Sequence, residues 1–198
     1  MKSIYIYGAS GHGLVVADLA RSCGYDHIIW IDDGENEYPS FEEIDKDIDV
    51  PIVIGVGNNK TRATIYNTIL QADMKIITLV HPSAVVSESV DLGKGTVVMP
   101  NVVINAKTKV GNGSILNSAS VIEHENEIGD FAHISPNVAL AGNVTISDYA
   151  HIGIGSSVKQ GITVGENSLV GVGSVVLKDI GNAKLAYGNP CVEKGKIK

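Results

Sequence analysis

From Val86 onward an aliphatic residue returns at every sixth position without a miss, at Leu92, Val98, Ile104, Val110, Leu116, Ile122, Ile128, Ile134, Leu140, Ile146, Ile152, Val158, Val164, Val170 and Val176. A helix repeats near 3.6 residues and a flat strand every 2, so a sustained period of six belongs to neither an amphipathic helix nor a simple meander. It fits a coil with three short straight sides, in which three hexads close one turn and the aliphatic residues stack into a continuous column. Neighbouring coils then satisfy one another's backbone hydrogen bonds, as in a parallel β-helix. A sandwich of valine-rich strands would need turns at irregular spacing and would lose phase.

The positions around each aliphatic residue carry a second message. Two residues earlier stand small or β-branched side chains, among them Ala132, Val138, Val144, Ala150, Ser156, Ile162, Ser168 and Ser174, suited to a corner with little room. Glycine follows the aliphatic residue at 93, 111, 129, 153, 165 and 171. There the chain is expected to turn tightly or to adopt a φ that other residues resist. Val102, Val103 and Val121 read as outward apolar residues that a partner would cover.

The first eighty residues follow a different grammar. Ile4–Tyr7 reads as a strand, 8–13 as a glycine-rich turn, 14–23 as a helix and 28–31 as a strand ending in Asp32-Asp33. A strand at 51–56 ends in Gly57-Asn58-Asn59, and a helix over 60–71 and a strand over 76–80 complete a βαβαβ unit. Such a Rossmann-like unit predicts a parallel sheet with ligands at the carboxyl ends of its strands, where the glycine turn, the aspartate pair and Gly57 all fall. Gly8, Gly11 and Gly13 are spaced G-x-x-G-x-G, which still lets backbone N–H groups approach a phosphate at a helix N-terminus without a lysine. The aspartates lie where a dinucleotide fold holds ribose hydroxyls, which raises a nicotinamide-dependent oxidoreductase as a rival. Eighty residues make only half of such a domain, and a mononucleotide moiety fits better. The expected organisation is therefore residues 1–80 as an α/β nucleotide-binding domain and residues 81–198 as a β-helix.

Charge supports that division. Fifteen basic against 22 acidic side chains give a net charge of −7, the wrong sign for a protein that grips nucleic acid by its phosphates. Residues 1–80 hold 6 basic and 12 acidic side chains, the remainder 9 and 10. The longest apolar runs fall far short of the ~18 residues of a membrane span, and the N-terminus has no signal-peptide pattern. A cytoplasmic protein without a membrane span is expected. Cys23 and Cys191 stand apart and form no metal or redox motif.

Of six histidines, His124 alone is flanked by carboxylates on both sides, Glu123 and Glu125. An imidazole near its ordinary pKa can take a proton at neutral pH, and a carboxylate on its other nitrogen fixes the tautomer. Adjacent side chains in a strand face opposite ways, so Glu125 reaches His124 only where the coil bends. Ser118 and Ser120 lie nearby, but small corner residues are commonly serine for packing.

The [LIV]-G-x-x-x-x pattern resembles the hexapeptide-repeat acyltransferases. Residues 5–13, Asp32-Asp33, Gly57-Asn58-Asn59, Ile104-Asn105-Ala106, the stretch from Asn117 to Glu125 and Gly142-Asn143-Val144 together resemble the NeuD/PglD-type sugar acetyltransferases. That resemblance implies a left-handed β-helix, against the usual right-handed crossover, acetyl-CoA as cosubstrate with no metal, and a homotrimer with active sites between subunits. The implied reaction is N-acetylation of a UDP-4-amino-4,6-dideoxy-N-acetylhexosamine, giving a UDP-N-acetylbacillosamine-type product. By resemblance, His124 is the general base and Glu125 its carboxylate; His133, Gly142, Ile154 and Val172 bind acetyl-CoA; Ser10, Gly11, His12, Asp32, Asp33, Gly57 and Asn117 bind the nucleotide-linked sugar. Val172 departs from the family's glycine, so only a backbone contact is expected there. Other acceptors (GDP-perosamine, another amino-sugar nucleotide, a sialic acid hydroxyl) and a non-catalytic nucleotide-binding trimer stay open.

Overall fold

The computed structural model describes residues 2–46 and 49–197, so Met1 and Lys198, the outer ends of the two expected domains, lie outside the described residues. The first region is a parallel three-stranded sheet in the order β2-β1-β3, built from β1 (Ser3–Tyr7), β2 (His27–Ile31) and β3 (Ile52–Ile54). Helix α1 (His12–Ser22) follows β1 and helix α2 (Asn59–Gln71) follows β3. All three strands are rich in Ile, Val and Tyr, and residues 52–54 are buried, as expected of a sheet covered on both faces. Asn58 caps α2 through its side chain, which accepts from the Thr61 N–H at 3.0 Å.

The strand expected over 76–80 is split. Ile76 makes a single parallel bridge to Ile52, while Leu79–Val80 pairs with Val97–Val98. The chain changes sheets between them, because Leu79 donates to Thr96 O and enters the first coil.

From there to Val176 a left-handed parallel β-helix rises on three faces of two-residue strands, each paired with the strand 18 residues away, and a longer antiparallel pair, Lys184–Gly188 and Cys191–Lys196, closes the first face. The first face carries Val97–Val98, Ile115–Leu116, His133–Ile134 and His151–Ile152, the second Val103–Ile104 and Val121–Ile122, the third Lys109–Val110 and Glu127–Ile128. All fourteen repeat positions from Val98 to Val176 are buried. Burying one such side chain stabilises the fold by about 1.5–3 kcal/mol. The small corner residues also point inward, and Val102 is one of them at 0% exposure, not an outward residue as expected. Several polar corner residues bond to a neighbouring turn, as Thr96, Ser114 and Ser156 do to the Gly111, Gly129 and Gly171 carbonyls, whereas the buried Ser120 hydroxyl has no partner among the described residues.

The glycines after the aliphatic column have a different role from the one expected. None of them has a positive φ; a Cβ on Gly111 or Gly129 would lie 2.4 or 2.3 Å from an Asp130 or Asp148 oxygen. They are there because adjacent coils touch. The left-handed backbone lies two residues further on, at every sixth residue from Gly95 to Gly173, and includes Glu125 (φ 59°), Phe131 (φ 55°) and Tyr149 (φ 60°).

The α/β region sits on the first face. Phe131 and Tyr149 stack at 5.5 Å, and Phe131 meets Tyr66 of α2 edge-on at 5.3 Å. No helix among the described residues is long and apolar enough to cross a membrane.

Candidate active site

At the corner between the second and third faces, the left-handed backbone of Glu125 turns its side chain back onto its neighbour. His124 Nδ1 and Glu125 Oε2 lie 3.1 Å apart, so the bend that the sequence required is present. With Nδ1–H donating to the carboxylate, Nε2 keeps its lone pair free. Gly142 stands 18 residues on, one coil above, and a Cβ there would lie 2.6 Å from His124 Nε2. Any side chain at 142 would therefore fill the space in front of the base. The Gly142 N–H has no backbone acceptor among the described residues. The corner opens into a cavity of about 550 Å³ that Lys107, Glu127, Asn143 and Gln160 also line.

Ile154 and Val172, also 18 residues apart, sit on the corner between the first and second faces. The Gly173 N–H donates to Ile154 O, and the two side chains are 50% and 73% exposed. Two aliphatic residues left open to solvent on one edge suit the apolar arm of a ligand.

The sugar-nucleotide candidates divide between two places: His12, Gly57 and Asn117 lie near His133, where the α/β region meets the first face, whereas Asp32 and Asp33 line a separate cavity within the α/β region. The turn after β1 is held by close backbone approach: a Cβ on Gly13 would lie 1.9 Å from Gly8 O. Gly11 starts α1 with no side-chain cap and no acidic residue in its first turn. Asp32 is engaged within the chain, accepting from Ala9 N–H at 2.8 Å and Gly34 N–H at 2.9 Å; the Ala9 bond leads in lowering its pKa. Asp33 accepts from Phe41 N–H at 2.9 Å and from the Tyr7 hydroxyl. These aspartates thus shape the loop over a cavity of about 770 Å³ as well as face it. Ser10 O anchors the Gly13 N–H, and Gly57 follows β3.

His12 approaches His133 with ring centroids 6.2 Å apart, and His133 stacks on His151, one coil above, at 4.4 Å. Asn117 reaches His133 Nε2 at 3.3 Å, and Ser135 reaches His151 Nε2 at 2.9 Å. The structure therefore groups His133 with His12 and Asn117 on the first face. It does not set His133 beside Gly142, which sits on another corner of the prism.

Three residues of this region escaped the sequence reading. Arg62 of α2 is 1% exposed and donates to Gly113 O at 2.6 Å, Phe131 O at 2.9 Å and Gly57 O at 2.9 Å, among others. It ties the loop after β3 to the prism with no carboxylate partner among the described residues, and burial pushes its pKa down to about 9. Burial, reinforced by this guanidinium, lowers His12 to about 4, and burial with neighbouring charges lowers His133 and His151 as well. His151 and Tyr7 are the other two; an 18-residue coil places 151 directly over 133, a signal the repeat already carried.

The N-terminal region matches the family model described as the PglD N-terminal domain over residues 3–69. PerB of Caulobacter crescentus, solved with CoA and GDP-perosamine, superposes with a TM-score of 0.90 at 31% identity, covering 98% of each chain. This chain belongs to the PglD-type sugar N-acetyltransferases. The acetyltransferase domain of PglB from Neisseria gonorrhoeae FA1090, solved with acetyl coenzyme A, gives 0.90 and 34% identity over 98% of this chain and 99% of that one. UDP-N-acetylbacillosamine N-acetyltransferase of Bacillus subtilis (strain 168) is 35% identical over 111 residues, 48% of this chain and 50% of that protein. That match spans half the length of the curated relative. The members of this PglD-type family are acyltransferases, and the present fold matches theirs from end to end.

Proposed function

We propose that the protein transfers the acetyl group of acetyl-CoA to the 4-amino group of a nucleotide-linked 4-amino-4,6-dideoxy sugar, with the UDP-linked N-acetylhexosamine as acceptor. The observation that carries this reading is the His124–Glu125 pair with Gly142 in front of Nε2. An amine held beside a thioester escapes most of the entropy cost of a bimolecular encounter. The amine nitrogen attacks the acetyl carbonyl while His124 Nε2 takes its proton. The Gly142 N–H donates to the oxygen that becomes negative, the C–S bond breaks, and the imidazolium returns the proton to the CoA thiolate. Glu125 stabilises the imidazolium in between. No metal or covalent enzyme intermediate is needed.

In this reading residues 1–80 hold the nucleotide-linked sugar through Ser10, Gly11, His12, Asp32, Asp33 and Gly57, and Asn117 of the prism reaches its sugar. His133, Gly142, Ile154 and Val172 serve acetyl-CoA, and His133 also faces the sugar, because it touches His12 and Asn117. Within one chain the His124 corner and the His133 face stand apart, so the complete site draws on two prisms. Outward Val85, 64% exposed, with Val103 and Val121 gives the second face an apolar stripe for a second copy. A homotrimer, as the family resemblance implies, acting in the cytoplasm, is consistent with this reading. Light scattering is the test: a mass three times the 20.8 kDa of the chain is the expected result, and a monomer would contradict the shared site.

PerB was solved with GDP-perosamine, which favours a GDP-linked acceptor as the second reading. Thiol detection of CoA release with UDP-, GDP- and dTDP-linked 4-amino sugars decides between them. Turnover fastest with the UDP sugar is expected; turnover with none of the three contradicts the proposed activity.

A further inference from the structure

Two cavities flank α2 and share one lining residue, Lys60. The cavity of about 770 Å³ lies on the side of Asp32, Asp33 and Phe41. The other, of about 540 Å³, lies where the start of α2 meets the prism, at Asn59, His133 and His151. Among the described residues, Lys60 is the one lysine or arginine lining either cavity. It is exposed and on the first turn of α2, a turn without acidic side chains whose dipole also favours an anion. Arg62, two residues later, is not available, because it is buried against backbone carbonyls of both regions.

We propose that Lys60 is the cation that binds the diphosphate of the nucleotide-linked sugar, at the passage between a nucleoside cavity and a sugar cavity. A nucleotide sugar has its parts in a fixed order, and with the nucleoside over the aspartates and the sugar beside the histidines, the diphosphate lies at the shared rim. The first eighty residues carry 6 basic against 12 acidic side chains. A dianion entering this field needs a local positive charge besides the backbone N–H groups of the glycine turn. A flexible ammonium supplies it as a point charge that can follow either phosphate. This assignment rests on the acceptor reading above, and adds a lysine where the sequence pattern required none.

The test uses the full-length protein, Lys60→Met and Lys60→Arg, with calorimetric titration of UDP, GDP and uridine, and steady-state kinetics. Wild type is expected to bind a nucleoside diphosphate at least about tenfold more tightly than uridine, and Lys60→Met to lose most of that margin. In Lys60→Met the KM for the nucleotide sugar rises about tenfold and depends less on salt, with kcat and the acetyl-CoA KM unchanged. Lys60→Arg, which keeps the charge, stays near wild type. Unchanged diphosphate affinity and KM in Lys60→Met overturn the role of Lys60 and leave acetyl transfer standing. A wild-type protein that binds neither UDP nor GDP more tightly than uridine overturns both.

Discussion

His124 and Gly142 stand one coil apart, and the space a Cβ would take at Gly142 is 2.5 Å from Cε1 of the His124 ring. The imidazole is half-exposed, at 53%, and can swing away from an added methyl group. Gly142→Ala is therefore expected to fold normally but to misplace the base. With reacting groups displaced by about 1 Å, kcat falls about a hundredfold while the melting temperature stays within about 3 °C. Parallel kinetics and calorimetry check both halves.

Arg62 satisfies carbonyls from two regions at once, and no shorter side chain spans them. Arg62→Ala leaves several buried acceptors unpaired and costs about 3 kcal/mol or more. Urea unfolding at neutral pH is the measurement. Because Arg62 holds Gly57 against the prism, the nucleotide-sugar KM rises as well in whatever fraction stays folded.

The histidine stack makes stability depend on acid. His12 is held down to about 4 in the folded protein against 6.5 for the free group. As pH falls through about 6.5 the unfolded chain takes up a proton that the folded chain refuses until about 4. Stability is thus full above that upper value and is lost between the two, by about 3 kcal/mol for His12. His133 and His151 act in the same direction. The urea midpoint is expected to drop from about pH 7 to about pH 5, and to drop less in His12→Gln, which cannot take the proton.

Two glycines separate close approach from backbone freedom. A methyl group on Gly129 would lie 2.3 Å from Asp148 Oδ1 and 2.5 Å from its N, whereas Gly161 has open space and a φ of 72°. Gly129→Ala is expected to cost about 3 kcal/mol and Gly161→Ala about 1 kcal/mol. Equal losses would mean that the coils can slide apart to accept a Cβ.

The repeat made the prism legible, because an inward column of aliphatic residues at fixed phase has few other solutions. It also implied which residues stack, since His124 with Gly142 and His133 with His151 each differ by one 18-residue coil. The left-handed corners were harder to read. Glycine and asparagine announce them at Gly155 and Asn137, but Phe131 and Tyr149 adopt the same backbone, with their rings stacked on each other and Phe131 also packed on Tyr66 of α2. Arg62 was illegible for a related reason: Lys60-Thr61-Arg62 reads as a solvated helix start, and only the packing of α2 on the prism buries one cation and leaves the other free. The aspartates were legible by position, while their bonds to Ala9, Gly34 and Phe41 depend on how the loop after β2 folds back.

The most direct measurement is CoA release from acetyl-CoA with a UDP-linked 4-amino-4,6-dideoxy-N-acetylhexosamine, comparing wild type with His124→Ala. The expected result is turnover by the wild type and a loss of at least about a hundredfold in kcat in a variant that still folds. Near wild-type turnover by His124→Ala would contradict the assignment of His124 as the base.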